Sequence, residues 1–392
     1  MTFAPLTSDF YGYESLLSPR ELESISALRA YLETEVKPLV NDHWDRAEFP
    51  HQVIGGLADL GVFSFAWEET RPFENSAVFR GWVALEVARI DASLGTFVGV
   101  HSGLAMAAIS RCGSAEQRAE WLPGLASGQL VASFGMTEPL SGSDTARGLR
   151  TTARRDGDNW ILNGEKRWIG NGTFSDIVVT WAKSEHDGEV KGFIVPTSTP
   201  GYSATRIEGK QALRTVQNAD IVLQDVVVPE RLRLQGANTF RDTAAVLRQS
   251  RAEVAWLAAG ISIGAYEAAL SYTKERVQFG KVIGAHQLVQ DLLVKSLGNI
   301  TASIGMAIRV SELFDSGEQT DAHSALAKAF TTSRMRETVA WARESMGGNG
   351  ILLEHDVARF FADAEALYSY EGTREMNTLI VGRAITGKSA FV

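Results

Sequence analysis

The run "ADIVLQDVVV", Ala219–Val228, is dense in β-branched residues and closes on Pro229. Such side chains are stiff at χ1 and pack well on a pleated surface, so the run predicts a strand. "IVVTWA" (Ile177–Ala182) and "GFIVP" (Gly192–Pro196) share its character, with turn signals between the runs that include Asn163-Gly164 and Asn171-Gly172. Residues 131–237 are therefore expected to form a compact antiparallel β domain.

On both sides of this segment the hydrophobic period becomes helical. Upstream, in residues 1–130, "SPRE" offers Ser18 as N-cap, Pro19 at the first helical position and Glu21 as capping-box partner. Leu22, Ile25, Leu32 and Val36 then mark one face, and Pro38 is expected to stop the helix. "RGWVALEVARIDASLGTFVGVHSGLAMAAISRCG" supplies one or two mostly buried helices, and Ser114 with Gln117 caps the next. Downstream, in residues 238–392, helices are expected near 241–274, 286–315, 320–346 and 374–386. The fold class that follows is mainly α with a central β domain, the two helical regions packing together with the β domain beside them.

A chain of 392 residues exceeds one hydrophobic core, which agrees with several domains. A net charge of -9 and no Lys/Arg-rich run argue against nucleic-acid binding, which needs a concentrated basic surface. Cys112 is the only cysteine, so no intrachain disulfide forms and a reducing cytoplasm is expected. The N-terminal stretch has no charged segment followed by an apolar one, and "KSAFV" at the other end is not a Ser-Lys-Leu tail. The most apolar stretch, "VAWLAAGISIGAY", has 13 residues between Glu253 and Glu267, short of the roughly 20 a membrane span needs.

Several motif matches lack their context. "GISIG", Gly260–Gly264, has the spacing of a serine nucleophile elbow but lies inside an apolar helical run, where small residues serve close helix packing. The 7 histidines have no metal-ligand spacing, and "NGT" at Asn171 reads as a turn. No Gly-x-Gly-x-x-Gly follows a predicted strand.

"FGMTEPLSGSD", Phe134–Asp144, is crowded with hydroxyls and backbone donors. By itself it reads equally as a capped loop or as a cradle for a planar ring or a phosphate. Further on come "KRWIGN" (Lys166–Asn171), "KERVQFGKVIGAHQLVQ" (Lys274–Gln290), "ESMGGNGIL" (Glu344–Leu352) and "YEGT" from Tyr370. In this order and at these separations the segments resemble the acyl-CoA dehydrogenase family over nearly the whole chain. "RIDASLGTFVGVHSGLAM", "NGEKRWIGNGTFSDI" and "RTVQNADIVLQDVVVPE" look most like the branch of glutaryl-CoA dehydrogenases and plant short-chain acyl-CoA oxidases.

The resemblance implies a helical N-terminal domain, a middle β domain, a C-terminal four-helix bundle, FAD between the last two, and a homotetramer. Carried residue by residue, Phe134, Met136, Thr137, Gly142 and Ser143 would line the flavin, with Ser143 also near the CoA chain, and Trp168 and Ile169 would pack on the isoalloxazine. Arg276, Phe279, Gln287, Gly347 and Gly348 would hold the pyrophosphate and adenosine across a subunit interface, and Thr373 would touch FAD. Arg251, Tyr370 and Gly372 would stand at the substrate, and Glu371 would be the base.

The chemistry explains the lone carboxylate. The α-proton of an acyl thioester is weakly acidic, and its removal accompanies departure of the β-hydrogen as hydride. A glutamate desolvated against ligand rises toward the operating range, about 6 to 7. Gly372 would let the chain turn past the ligand, and Thr373 would cap the helix carrying Met376, Leu379, Ile380 and Ala384.

Two departures bear on the substrate. Gly95 stands where glutaryl-CoA dehydrogenases have the arginine for the distal carboxylate, and Gly99 replaces a nearby serine. A short uncharged acyl-CoA is therefore expected over glutaryl-CoA. Gly170 replaces the threonine of many dehydrogenases, which leaves a short-chain oxidase open. An acyl-carrier-protein thioester and a non-catalytic, nucleic-acid-binding flavoprotein are the other readings. The acceptor that the resemblance implies is an electron-transfer flavoprotein.

Overall fold

The computed structural model describes residues 6–390. The outermost residues of the two stretches read for targeting lie outside that range.

The N-terminal region is helical: α1 (Pro19–Tyr31), α2 (Lys37–Arg46), α3 (Val53–Asp59), α4 (Ala77–Ile90), α5 (Ala92–Val98), α6 (Ala107–Cys112) and α7 (Ala115–Ala126). Both anticipated capping boxes form, Ser18 with Glu21 and Ser114 with Gln117. Pro38 does not end a helix. A π-helical turn, Leu32–Val36, carries α1 into α2, and Pro38 sits in the first turn of α2, where its missing N–H costs nothing. Asp91 breaks the buried stretch between α4 and α5, accepting from Leu94 N at 2.7 Å as N-cap of α5. A second π-helical segment, Gly99–Met106, joins α5 to α6.

Seven strands follow: β1 (Ala132–Gly135), β2 (Thr152–Asp156), β3 (Asn159–Ile169), β4 (Ile177–Ser184), β5 (Val190–Pro196), β6 (Tyr202–Arg206) and β7 (Ala219–Pro229). The antiparallel expectation holds for β2–β3, β3–β7, β6–β7 and β4–β5 but is corrected at β4, which pairs in parallel with β1 and β2. The chain between β1 and β4 is long enough for the crossover that parallel pairing requires, and no local signal announces it. Asn163-Gly164 is also not a turn. It lies within β3 at a register shift, with Gly164 at φ 151 and pressed on Thr151. Asn171-Gly172 does turn, with Gly172 N donating to Ile169 O at 3.2 Å.

The C-terminal region holds α8 (Phe240–Glu275), a small hairpin of β8 (Val277–Gln278) and β9 (Lys281–Val282), then α9 (Gln287–Asp315), α10 (Asp321–Ser345), α11 (Val357–Ser369) and α12 (Arg374–Thr386). Helix α10 packs on α8, α9, α11 and α12. Helix α11 was not anticipated, and the reason is local: Asp356, before it, has φ 61 and makes no side-chain cap.

The long helix α8 ties the two helical regions together by packing on α4. Small residues allow this: a Cβ at Gly260 would collide with the Leu85 carbonyl, and one at Gly264 with that of Arg89. Ser262 donates to Ala258 O at 2.8 Å inside the helix and is no nucleophile. The stretches Ala92–Cys112 and Phe240–Glu275 are long and apolar enough to cross a membrane, but 89% and 78% of their apolar windows are buried within the protein.

Candidate active site

A cavity of about 690 Å³ opens where the β domain meets α5, α8, α11 and α12. It brings together Phe134, Met136, Thr137, Gly142 and Ser143 from β1 and its following loop, Trp168 and Ile169 from the end of β3, Arg251 from α8, and Tyr370, Glu371, Gly372 and Thr373 from the α11–α12 turn.

It does not gather all the candidates. Gly95 lies off the cavity wall, and this corrects its reading as a substrate contact. A Cβ there would meet Leu257 Cδ2 at 3.1 Å and Ala88 Cβ at 3.2 Å, so this position faces helix packing, while Thr96 and Gly99 on the same turn face the cavity. Arg276, Phe279, Gln287, Gly347 and Gly348 are likewise outside it. They lie around the far end of α8, where Asn349 donates to Tyr272 Oη at 2.8 Å and Phe279 is 94% exposed.

The loop 134–144 is both capped and part of the wall. Lys166, buried on β3, reaches under it with Nζ 2.8 Å from Glu138 Oε1 and donates to Trp181 O at 2.7 Å. Glu138 in turn accepts from Arg150 N at 2.6 Å and Thr151 N at 3.0 Å. This buried pair fixes the loop backbone while leaving the Thr137 and Ser143 hydroxyls at the cavity. Trp168, at φ 64 and half exposed, stands at the rim.

Glu371 sits in the left-handed region at φ 52, followed by Gly372 at φ 77. A bulky residue held there is strained, and the surroundings must over-determine it. They do so from three sides. Lys328 Nζ donates to Tyr368 O at 2.8 Å and to Gly372 O at 2.9 Å. Asn377 Nδ2 donates to Gly372 O at 2.8 Å and Thr373 O at 3.0 Å. Thr373 caps α12, its Oγ1 accepting from Met376 N at 3.3 Å.

The carboxylate of Glu371 accepts from Ser250 Oγ at 2.7 Å. Burial pushes its pKa above the usual carboxylate range, while the Ser250 hydrogen bond and the charges of Arg251 and Lys328 act the other way. Burial also pushes Lys328 down to about 8. Tyr370, beside the base, pairs its hydroxyl with Thr96 Oγ1 at 3.3 Å.

Arg251 Nε and Asn377 Oδ1 have no partner among the described residues. Unpaired buried polar atoms on an otherwise apolar wall fit a ligand that is flat, largely apolar and edged with hydrogen-bonding atoms. The isoalloxazine end of FAD has those properties, with Thr137, Ser143, Trp168 and Ile169 as the residues to hold it.

Sequence reasoning missed Ser250, Glu253 and Lys328. Ser250 directly precedes Arg251, Glu253 borders an apolar run, and Lys328 is a lone cation in "ALAKAF". Only the last carries a signal by itself, a charge on the buried face of a helix.

The comparisons with known proteins agree with this fold. The family models described as the N-terminal, middle and C-terminal domains of acyl-CoA dehydrogenase match residues 18–129, 133–226 and 240–386. An acyl-CoA dehydrogenase of Bacillus subtilis (strain 168) is 30% identical over 365 residues, covering 92% of this chain and 96% of that one. A glutaryl-CoA dehydrogenase of Mycobacterium smegmatis in complex with FADH2 superposes with a TM-score of 0.95 at 33% identity, over 99% of this chain and 100% of that one. The butyryl-CoA dehydrogenase of Megasphaera elsdenii gives 0.90 at 27% identity, over 94% and 98%. The family is FAD-dependent, and three consecutive domain matches leave no large part of the fold unaccounted for. The chain belongs to the acyl-CoA dehydrogenase family of enzymes.

Proposed function

We propose that the protein dehydrogenates a short, uncharged acyl-CoA thioester between its α and β carbons, giving the trans-2-enoyl thioester. The observation that carries this reading is Glu371, a carboxylate held in a left-handed turn, opening on the cavity and hydrogen-bonded to Ser250 at 2.7 Å. Glu371 takes the α-proton, and its raised pKa gives the proton a stable destination. As in the family, the backbone N–H of Glu371 would meet the charge that develops on the thioester oxygen. When bound, FAD supplies the acceptor for the β-hydrogen, which leaves as hydride.

The test is anaerobic mixing of the purified holoenzyme with butyryl-CoA. Loss of the oxidised flavin absorbance is expected, and a spectrum that stays oxidised would reject this substrate. Glutaryl-CoA is expected to react more slowly than butyryl-CoA, since its second carboxylate would share the cavity with the Glu371 carboxylate.

The pH profile follows from Glu371. Because the base acts deprotonated and burial raises its pKa, kcat/KM is expected to climb with pH through that raised value. Ser250→Ala removes a hydrogen bond that favours the carboxylate, so the acid limb should move to higher pH. An unmoved limb would mean that another group controls the profile.

A second reading is a short-chain oxidase, favoured by Gly170. This residue lines the cavity without a hydroxyl, and a Cβ there would come within 3.0 Å of Val100 Cγ2. Oxygen consumption with butyryl-CoA separates the two. For the dehydrogenase reading, the acceptor is an electron-transfer flavoprotein, as in the family. A homotetramer is supported by exposed Phe279, Leu288 and Val294 on the β8–β9 hairpin and α9. Its interface would include Arg276, Gln287, Gly347 and Gly348 as adenosine-side contacts. A cytoplasmic location rests on the single buried cysteine.

A further inference from the structure

One carboxyl at the cavity has no task in the scheme above. Glu253 lies on α8 three residues after Ser250, on the same side of the helix, and lines the cavity that holds Glu371. It also borders a second cavity of about 110 Å³. Gly99 and Gly103, four residues apart on the π-helical segment, make room for it. A Cβ at Gly103 would overlap Glu253 Oε2, and one at Gly99 would lie 3.6 Å from Oε1.

Among the described residues the Glu253 carboxyl has no hydrogen-bond or ion-pair partner. The ionisable groups it feels are Glu371 and Tyr370, and the nearby Arg251 acts on Glu371 instead. Burial, then the charge of Glu371, pushes it up to about 7. A desolvated carboxyl without a partner is costly, and Glu253 lines both cavities, with Oε1 on the side of Gly99 and the ligand space and Oε2 against Gly103.

Three residues of helix advance about 4.5 Å along the axis, comparable to about three or four methylene steps of an extended acyl chain. For an acyl chain that runs along α8 from an α-carbon at Glu371, this span would bring the fifth carbon to Glu253. We propose that Glu253 selects the acyl tail, accepting a hydrogen bond from a hydroxyl or ammonium group near the distal end and repelling a distal carboxylate. The proposal rests on the α,β-dehydrogenation reading but replaces its uncharged tail with a polar one, an ω-hydroxy- or ω-aminoacyl thioester.

The experiment compares four five-carbon thioesters of CoA: pentanoyl, 5-hydroxypentanoyl, 5-aminopentanoyl and glutaryl. Each is given to the wild-type holoenzyme, Glu253→Gln and Glu253→Leu, with kcat/KM as one readout. The other is the Kd of the matching enoyl thioesters, from perturbation of the flavin spectrum. In the wild type, a hydroxyl or ammonium tail should exceed pentanoyl by at least about tenfold, and glutaryl should fall at least about tenfold below it. Glu253→Gln should raise the glutaryl-to-pentanoyl ratio about tenfold, and Glu253→Leu should erase the advantage of both polar tails.

The hydroxyl and ammonium arms distinguish a hydrogen bond from charge pairing, since Glu253→Gln should preserve only the former. Ratios that stay within about threefold in both variants, with the flavin spectrum of the folded holoenzyme retained, would overturn the assignment. Reduction of the wild-type flavin by pentanoyl-CoA tests dehydrogenation by itself. If it occurs and the ratios are flat, only the role of Glu253 falls; if no thioester reduces the flavin, both readings fall.

Discussion

Glu371→Gln is expected to retain FAD and lose dehydrogenation, with kcat lower by about 10²–10⁴-fold, the contribution of a well-placed general base. The amide preserves the shape of the side chain and can still accept from Ser250, which lies 2.7 Å from the carboxylate. Lys328 and Asn377, which hold Gly372 O at 2.9 and 2.8 Å, are untouched. The turn at φ 52 should therefore survive, and only the capacity to take a proton disappears. Stopped-flow reduction under anaerobic conditions reads the chemical step directly, and the flavin-to-protein ratio reads the cofactor. Near-normal reduction in the variant would remove Glu371 from the role of base and send the search to the second cavity carboxyl, Glu253.

Arg359→Ala is expected to cost about 3–5 kcal/mol of stability, the range for breaking one partner out of a buried pair. Arg359 on α11 is 1% exposed, donates to Asp91 Oδ2 at 2.8 Å and to Asn41 Oδ1 at 3.0 Å, and so clasps the C-terminal helices to the N-terminal ones. Burial raises the pKa of Asp91 and the arginine opposes that rise. Nearby Asp363 is already pushed up to about 7, by burial first and then by the charge of Asp91. Without the guanidinium, a buried carboxylate that also caps α5 has no counter-ion, and two acids share the space. Arg359→Lys should recover only part of the loss, because one ammonium cannot reproduce the planar fork. The urea midpoint of the holoenzyme checks this, and a loss below about 1 kcal/mol, as for a surface pair, would show the clasp to be dispensable.

Much of the site was legible because it lies in short segments. "FGMTEPLSGSD", "KRWIGN" and "YEGT" each place their functional atoms within a few residues, and the cavity brings the three together. Glu253 and Lys328 were not legible, because their meaning depends on partners elsewhere. Lys328 acts on a carbonyl 44 residues away, and Glu253 is understood only from glycines on another helix. Gly95 shows the opposite failure: one step along a helix turns a position by about 100°, so an aligned column points away from the cavity.

Local sequence dictates the helix caps at Ser18, Ser114 and Thr373, the order of helical, β and helical regions, and the turn that carries Glu371. These rest on hydrogen bonds and side-chain periodicities within a few residues, which local chemistry dictates. Long-range packing sets the parallel pairing of β4 with β1 and β2, the kink at Asn163-Gly164 within a strand, and the place of Pro38 in the first turn of a helix. It also decided that Ser250 meets Glu371 across 121 residues of chain and that Glu253 faces the ligand space. In each case competing local conformations are close in energy, and long-range packing and the satisfaction of buried polar groups choose between them.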